Sequence, residues 1–251
     1  MSSVVLPVIF GLLLALWLRK KLLLVGTPST PSIVVFDENR WLCAELTKFG
    51  FACTQIDSRQ LRQHAAVVLS DDIDALQVIA DADFFVLGEA SDVLLSLGAV
   101  ESWRTDDLEP ALAALRSRFG VDIARQVVLV PGAPPRVGQF DLNPVRLLLD
   151  SVAKLMPVAP TWCIFPRVVN ERNETSFLFM PDHWHLNHHG SFVVAQWIHR
   201  HFRPTDAIDA PLPDNMDAAT AVYLRRVLDD CIQQVPGTQD MSATTPAWSE
   251  Q

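Results

Sequence analysis

The stretch IVVFDENRWLCAELTKFGFACTQI, residues 33–56, decides the fold. Its first four residues are apolar and mostly β-branched, with no polar alternation. Such a run reads as a strand buried on both faces. Residues 40–49 then place Trp41, Leu42, Ala44, Leu46 and Phe49 at helical spacing, and Gly50 supplies the stop. Residues 51–56 form a second strand.

The same alternation continues downstream. Residues 57–81 hold a short helix and a strand around 65–69. DFFVL at 83–87 is a strand ending at Gly88. Residues 108–119 are an amphipathic helix with Leu108, Leu112, Leu115 and Phe119 on one face, stopped by Gly120. QVVLV at 126–130 is a strand, 142–155 a helix with Pro144 in its first turn, TWCIF at 161–165 a last strand, and 191–202 a closing helix before Pro204. Alternation of this kind predicts a three-layer α/β/α domain with a mostly parallel sheet over residues 26–204. Sites in such sheets form in loops at the carboxyl ends of the strands. Here those loops begin at Asp37, Gly88, Pro131 and Pro166, joined by 182–189. Residues 205–217 read as a Pro/Asp-rich linker. Residues 218–235 read as a helix with Leu224, Val227, Leu228, Cys231 and Val235 on one face, packing on the domain or on a partner. Residues 236–251 are polar and expected to be disordered.

Ahead of the domain, residues 4–18 (VVLPVIFGLLLALWL) carry no charge and stop at Arg19-Lys20-Lys21. The run is shorter than the roughly 18 residues of a confident span. Basic side chains can snorkel, and residues 22–25 extend it. It lacks the preceding positive charge and the small-x-small site of a signal peptide. The expectation is therefore a single-pass membrane anchor over residues 1–25, with the domain on the cytoplasmic side by the positive-inside rule. The chain of 251 residues has a net charge of −9, which argues against nucleic acid as a partner. Cys43, Cys53, Cys163 and Cys231 form no C-x-x-C pair, so a zinc ribbon is not expected. Two disulfides are arithmetically possible. Three of the four lie in apolar segments, however, and the expected state is reduced and buried.

The chemistry points to FMPDHWHLNHHGSFVVAQWI, residues 179–198, which holds four of the seven histidines. Asp182 and His185 form an Asp-x-x-His pair just before a helix. An aspartate there can hold one imidazole nitrogen and leave the other free as a base. Together with Leu186, Asn187 and Gly190, the pair resembles the last sequence block of the SGNH (GDSL-type) hydrolases, Asp-x-x-His-Leu-Asn-x-x-Gly. The resemblance implies a flavodoxin-like α/β domain, ester hydrolysis without a cofactor, and a small acyl-ester substrate. It also implies a serine nucleophile in a Gly-Asp-Ser block after the first strand.

The other blocks depart from that pattern. After the first strand the chain reads Phe36-Asp37-Glu38-Asn39: the aspartate matches, while Glu38 occupies the nucleophile's place. The second block, at 55–59, has no glycine. The third reads Gly88-Glu89-Ala90-Ser91-Asp92, where Gly88 matches and marks the oxyanion region. Serine chemistry needs a hydroxyl within reach of the base and donors aimed at the oxyanion. A carboxylate beside His185 would instead hold it protonated. Ser29, in Gly26-Thr27-Pro28-Ser29, is an alternative nucleophile if that stretch is a degenerate first block. Ser58 and Ser91 are further hydroxyls, read more simply as turn residues. Two functional readings stay open: an SGNH-like esterase with His185 as base and Asp182 as its partner, or a catalytically inactive, membrane-tethered relative that kept the fold as a binding or scaffold protein. His183, His185 and His189 have spacings that would also suit a metal, but the Asp-x-x-His reading needs fewer coincidences, so no metal is expected. Asn173-Glu174-Thr175 is a glycosylation sequon, which a cytoplasmic domain would not use.

Overall fold

The computed structural model describes residues 30–37, 40–56, 73–88, 108–132, 149–181, 185–206 and 210–234. The chain divides into Met1–Thr30 and Pro31–Gln251, and the described fold belongs to the second part.

Four parallel strands form the sheet: β1 (Ser32–Phe36), β2 (Ala52–Ile56), β3 (Phe84–Leu87) and β4 (Val127–Leu129), in the order β2-β1-β3-β4. Ile33 sits between Cys53 and Phe84, and Phe36 between Ile56 and Leu87. Beyond β4, Leu129 bridges Val158 in parallel, its amide donating to Pro157 O and its carbonyl accepting from Ala159 N. A fifth, rudimentary strand thus gives the order 2-1-3-4-5 of flavodoxin-like sheets.

The helices are α1 (Arg40–Lys48), α2 (Ile73–Ala80), α3 (Glu109–Phe119), α4 (Ile123–Gln126), α5 (Thr161–Arg172), α6 (His188–Phe202) and α7 (Ala218–Gln234). Because strand side chains alternate, β1 feeds two cores. Ile33 and Val35 join Val86 and Val128 under Leu42 and Leu46 of α1 and the apolar faces of α5, α6 and α7. Val34 and Phe36 join Phe85, Leu87, Val127 and Leu129 under Ile79 of α2, Leu112 and Leu115 of α3, Ile123 and Val152. This is the expected three-layer arrangement. Each buried Phe, Leu or Ile stabilises it by about 1.5–3 kcal/mol.

Three expectations are corrected. TWCIF is not a strand but the first turn and a half of α5. Thr161, Ile164, Phe165, Val168 and Val169 are buried at i, i+3, i+4, i+7 and i+8, a helical face that the five-residue run conceals. The strand's place is taken by Val158, ahead of Pro160. The cysteines are not reduced: Cys43–Cys53 ties α1 to β2, and Cys163–Cys231 ties α5 to α7, with Cα separations of 5.6 and 5.7 Å. Pairing is decided by tertiary approach, which spacing along the chain does not show. Disulfides persist in oxidising compartments, contrary to the expected cytoplasmic placement. Lastly, among the described residues no helix is long and apolar enough to cross a membrane, which overturns the expected single-pass anchor. Residues 1–25, on which that expectation rested, lie outside the described residues, as do 65–69, 142–148 and the tail.

The helix at the chain's end packs inward. Ala221, Leu224, Val227, Leu228 and Cys231 of α7 are buried in the first core. Ahead of it, Met216 is also buried there, and Asp217 accepts from Thr220 N at 2.6 Å, holding its carboxyl below its usual range.

One titration tests the packing of α6. Burial pushes His201 down to about 4, from its ordinary value of 6.5. Its ring stacks on Trp197 at 5.6 Å. A histidine held neutral by the fold contributes full stability above pH 6.5, where both states are neutral. Below that, the unfolded chain takes the proton first, so stability falls between pH 6.5 and about 4. Urea unfolding at pH 7 and pH 5 is expected to show a smaller loss for His201→Gln than for wild type. Equal losses would contradict the assignment.

Candidate active site

The carboxyl edge of the sheet gathers Asp37, Gln55, Gly88 and Pro131. Asp37 follows β1 and is 2% exposed. Its backbone is fixed on both sides: its amide donates to Ile56 O, and its carbonyl accepts from Gln55 Nε2 at 2.7 Å. Gly88, one residue beyond β3, lies against the Asp37 side chain. A Cβ there would stand 2.7 Å from Asp37 Cβ and Oδ2, so only glycine leaves room for the buried carboxylate. The Gly88 amide itself donates to Phe36 O at 2.9 Å, as the last rung of the ladder. Next along the edge, Thr161 Oγ1 donates to Pro131 O at 2.8 Å and anchors the start of α5 to the end of β4.

The second component is the turn that carries His185. Phe179 and Leu186 pair in antiparallel fashion. Met180 N donates to His185 O at 2.7 Å, and Asn187 N donates to Leu178 O at 2.9 Å. These bonds pin the two stems of the turn. Asn187 then joins the turn to α6. Its Oδ1 accepts from His189 N and Gly190 N at 2.8 and 3.1 Å, an N-cap for two orphan amides. Its Nδ2 faces the carbonyls of Ser176 and Phe177 at 2.8 and 3.2 Å. Leu186 is buried, and Gly190 passes so close to the turn that an added Cβ would fall 2.5 Å from Leu178 O. Leu186 thus anchors the turn in the core, Asn187 ties it to α6, and Gly190 lets the helix approach. Together they fix the backbone that follows His185, which is itself half-buried.

Packing sets which end of the sheet that loop occupies. His188, opening α6, lies 3.6 Å between ring centroids from Trp41 near the start of α1, just beyond β1. At the other end of α6, His199 meets Phe49 at 5.5 Å, and Phe202 stacks on Phe84 at 4.2 Å, where β2 and β3 begin. Thus α6 runs antiparallel to the strands, and the His185 turn belongs to the carboxyl edge with Asp37 and Gly88.

The neighbouring histidines are engaged elsewhere. His188 Nδ1 lies 3.4 Å from Glu45 Oε1, a fully buried carboxylate that Lys48 Nζ also reaches at 2.8 Å. His189 Nδ1 lies 3.1 Å from Phe177 O. Both rings therefore meet groups from other parts of the chain, and among the described residues no three His, Cys, Asp or Glu side chains gather to hold a metal. Asp182, His183, Ser29, Glu38, Ser58 and Ser91 lie outside the described residues. Sequence reasoning missed Gln55 and Thr161 as braces of the edge, because neither carries a motif; their partners are backbone carbonyls from other elements.

These features define a class: a doubly wound α/β fold with a parallel sheet and its candidate chemistry at the carboxyl edge. The same fold occurs in a lipase of known structure, Lip_vut3 from a goat rumen metagenome. The TM-score is 0.53 at 12% identity, and the likeness covers 69% of this chain and 99% of the lipase. At that identity it shows the fold alone. No protein-family model matches the sequence, and no curated protein matches it.

Proposed function

We propose that the chain is an ester hydrolase of the SGNH type, with His185 as general base, Asp182 as the residue that orients it, and a small acyl ester as substrate. The observation that carries this reading is the turn itself. Leu186, Asn187 and Gly190 each do something that a rigid His185 needs, and the resemblance to the hydrolase block covers these same residues. The Asp37–Gly88 contact on the same edge, and a fold shared with a lipase, support it further.

In the proposed reaction His185 takes the proton of a hydroxyl as its oxygen attacks the acyl carbon, and returns it to the departing alcohol. Ser29 is the candidate hydroxyl that sequence offers. A water activated by His185 would give the same products without an acyl-enzyme. Gly88, the position the sequence offers for the oxyanion region, leaves a space that the Asp37 side chain fills. Its own amide is engaged with Phe36 O, so another donor must meet the developing charge.

A second reading has its own support. The residues after β1 are Asp37-Glu38-Asn39, with no hydroxyl where the family carries its nucleophile. On this reading the chain is an inactive relative that binds a ligand or partner at the same edge.

Hydrolysis of a short-chain aryl ester, together with labelling by a fluorophosphonate probe, separates the two. His185→Ala is expected to lower kcat/KM by about 100-fold or more, the usual scale for loss of a general base, with an unchanged melting temperature. Labelling lost in Ser29→Ala would identify the nucleophile. Absence of labelling, with residual turnover that ignores His185→Ala, would replace the hydrolase with the inactive relative.

A further inference from the structure

We propose that Asn173 is an N-glycosylation site, with an oligosaccharide attached to its side-chain amide nitrogen. Asn173-Glu174-Thr175 is the chain's single N-x-S/T sequon. A cytoplasmic domain would leave it unread, but the two disulfides change that premise. All four cysteines are paired, and such pairs form in the oxidising compartments of the secretory route, where sequons are also modified.

The local structure suits the modification. Asn173 ends α5 with φ 53° and ψ 31°, a left-handed residue that terminates the helix. Asn173 and Glu174 are exposed and Thr175 is half-buried. Thr175 contributes its carbonyl to the turn, accepting from Leu178 N and Phe179 N at 3.3 and 3.2 Å. Among the described residues, no hydrogen bond engages the side chain of Asn173 or of Thr175. Asn173 lies among exposed residues, 170–174, so its side-chain amide is open to solvent. The donor is a lipid-pyrophosphate-linked oligosaccharide. Asn173 Nδ2 bonds to the sugar's C1, the C1–O bond breaks with its electron pair leaving on the lipid pyrophosphate, and one amide proton passes to a base. Glycosylation at Asn173 is independent of the hydrolase reading.

The test is expression of the full chain in cultured eukaryotic cells, followed by gel mobility and intact mass before and after peptide-N-glycosidase F. The expected result is a heavier form that the enzyme converts to the mass of the polypeptide with aspartate in place of Asn173. Asn173→Asp, which tolerates the left-handed backbone, and Thr175→Ala are expected to remove the heavier form. Thr175→Ser is expected to retain it, which separates sequon chemistry from a folding effect. A wild-type chain at its polypeptide mass, or a heavier form that persists in Asn173→Asp, overturns the proposal.

Discussion

Replacing Cys163 and Cys231 together by alanine is expected to lower the unfolding free energy by about 4 kcal/mol. The two residues are 68 apart in sequence, and their bond closes a loop that spans most of α5, the His185 turn, α6 and most of α7. Cross-linking distant residues restricts the unfolded ensemble, and on the loop-entropy argument the effect grows with the logarithm of loop length. The Cys43–Cys53 bond, at a separation of 10, is expected to contribute less, about 3 kcal/mol. Other links between α5 and α7 are weaker. Arg167 of α5 reaches Asp230 of α7 at 3.0 Å, and Tyr223 of α7 donates to Glu171 of α5 at 2.6 Å, but these groups are partly exposed. Exposed ion pairs contribute at most about 1 kcal/mol each. Equilibrium urea unfolding of the oxidised protein and the double variant gives the difference directly. Equal midpoints, or four thiols alkylated without reductant, would remove the disulfide from the account.

Gly190→Ala is expected to destabilise the protein by about 3 kcal/mol, at the upper end of overpacking costs. The sign is informative, because in an ordinary helix interior alanine is better than glycine by about 1 kcal/mol. Here the new methyl would meet Leu178 O at 2.5 Å and Leu186 Cδ2 at 2.9 Å. The leucine can rotate, but the carbonyl is backbone and accepts from Asn187 N. Moving it loosens the bond that closes the turn. Stability and any His185-dependent turnover should therefore fall together, whereas His185→Ala should lower turnover alone. A Gly190→Ala protein as stable as wild type would mean that α6 and the turn do not approach as described.

What could be read without coordinates follows from the physics of each signal. The strands β1, β3 and β4 are short apolar runs beside glycine, proline or acidic residues, and a strand buried on both faces leaves that pattern. Gly120 after Phe119 and Pro204 after α6 mark helix ends by local backbone rules. The block from His185 to Gly190 was legible as a unit, although its purpose was not. Asn187 belongs to that block in sequence, but its caps on His189 N and Gly190 N and its hold on Ser176 O and Phe177 O, ten and eleven positions earlier, appear only in the structure.

Residues 158–169 show where local reading fails. Val158 is the strand and Ile164 the helix, though both lie in apolar surroundings. Only the place of Leu129 on one side, and of the α6 and α7 faces on the other, decides between them. The cysteines show the same limit: a buried thiol and a half-disulfide have the same neighbours in sequence. Most of the order of alternating elements and the parallel sheet were determined by the chain's own patterning, because hydrophobic period and turn chemistry act over a few residues. Which cysteines pair, which apolar run becomes the edge strand, and how closely Gly190 and Gly88 are approached were decided only in the tertiary structure, because each depends on atoms brought together from distant parts of the chain.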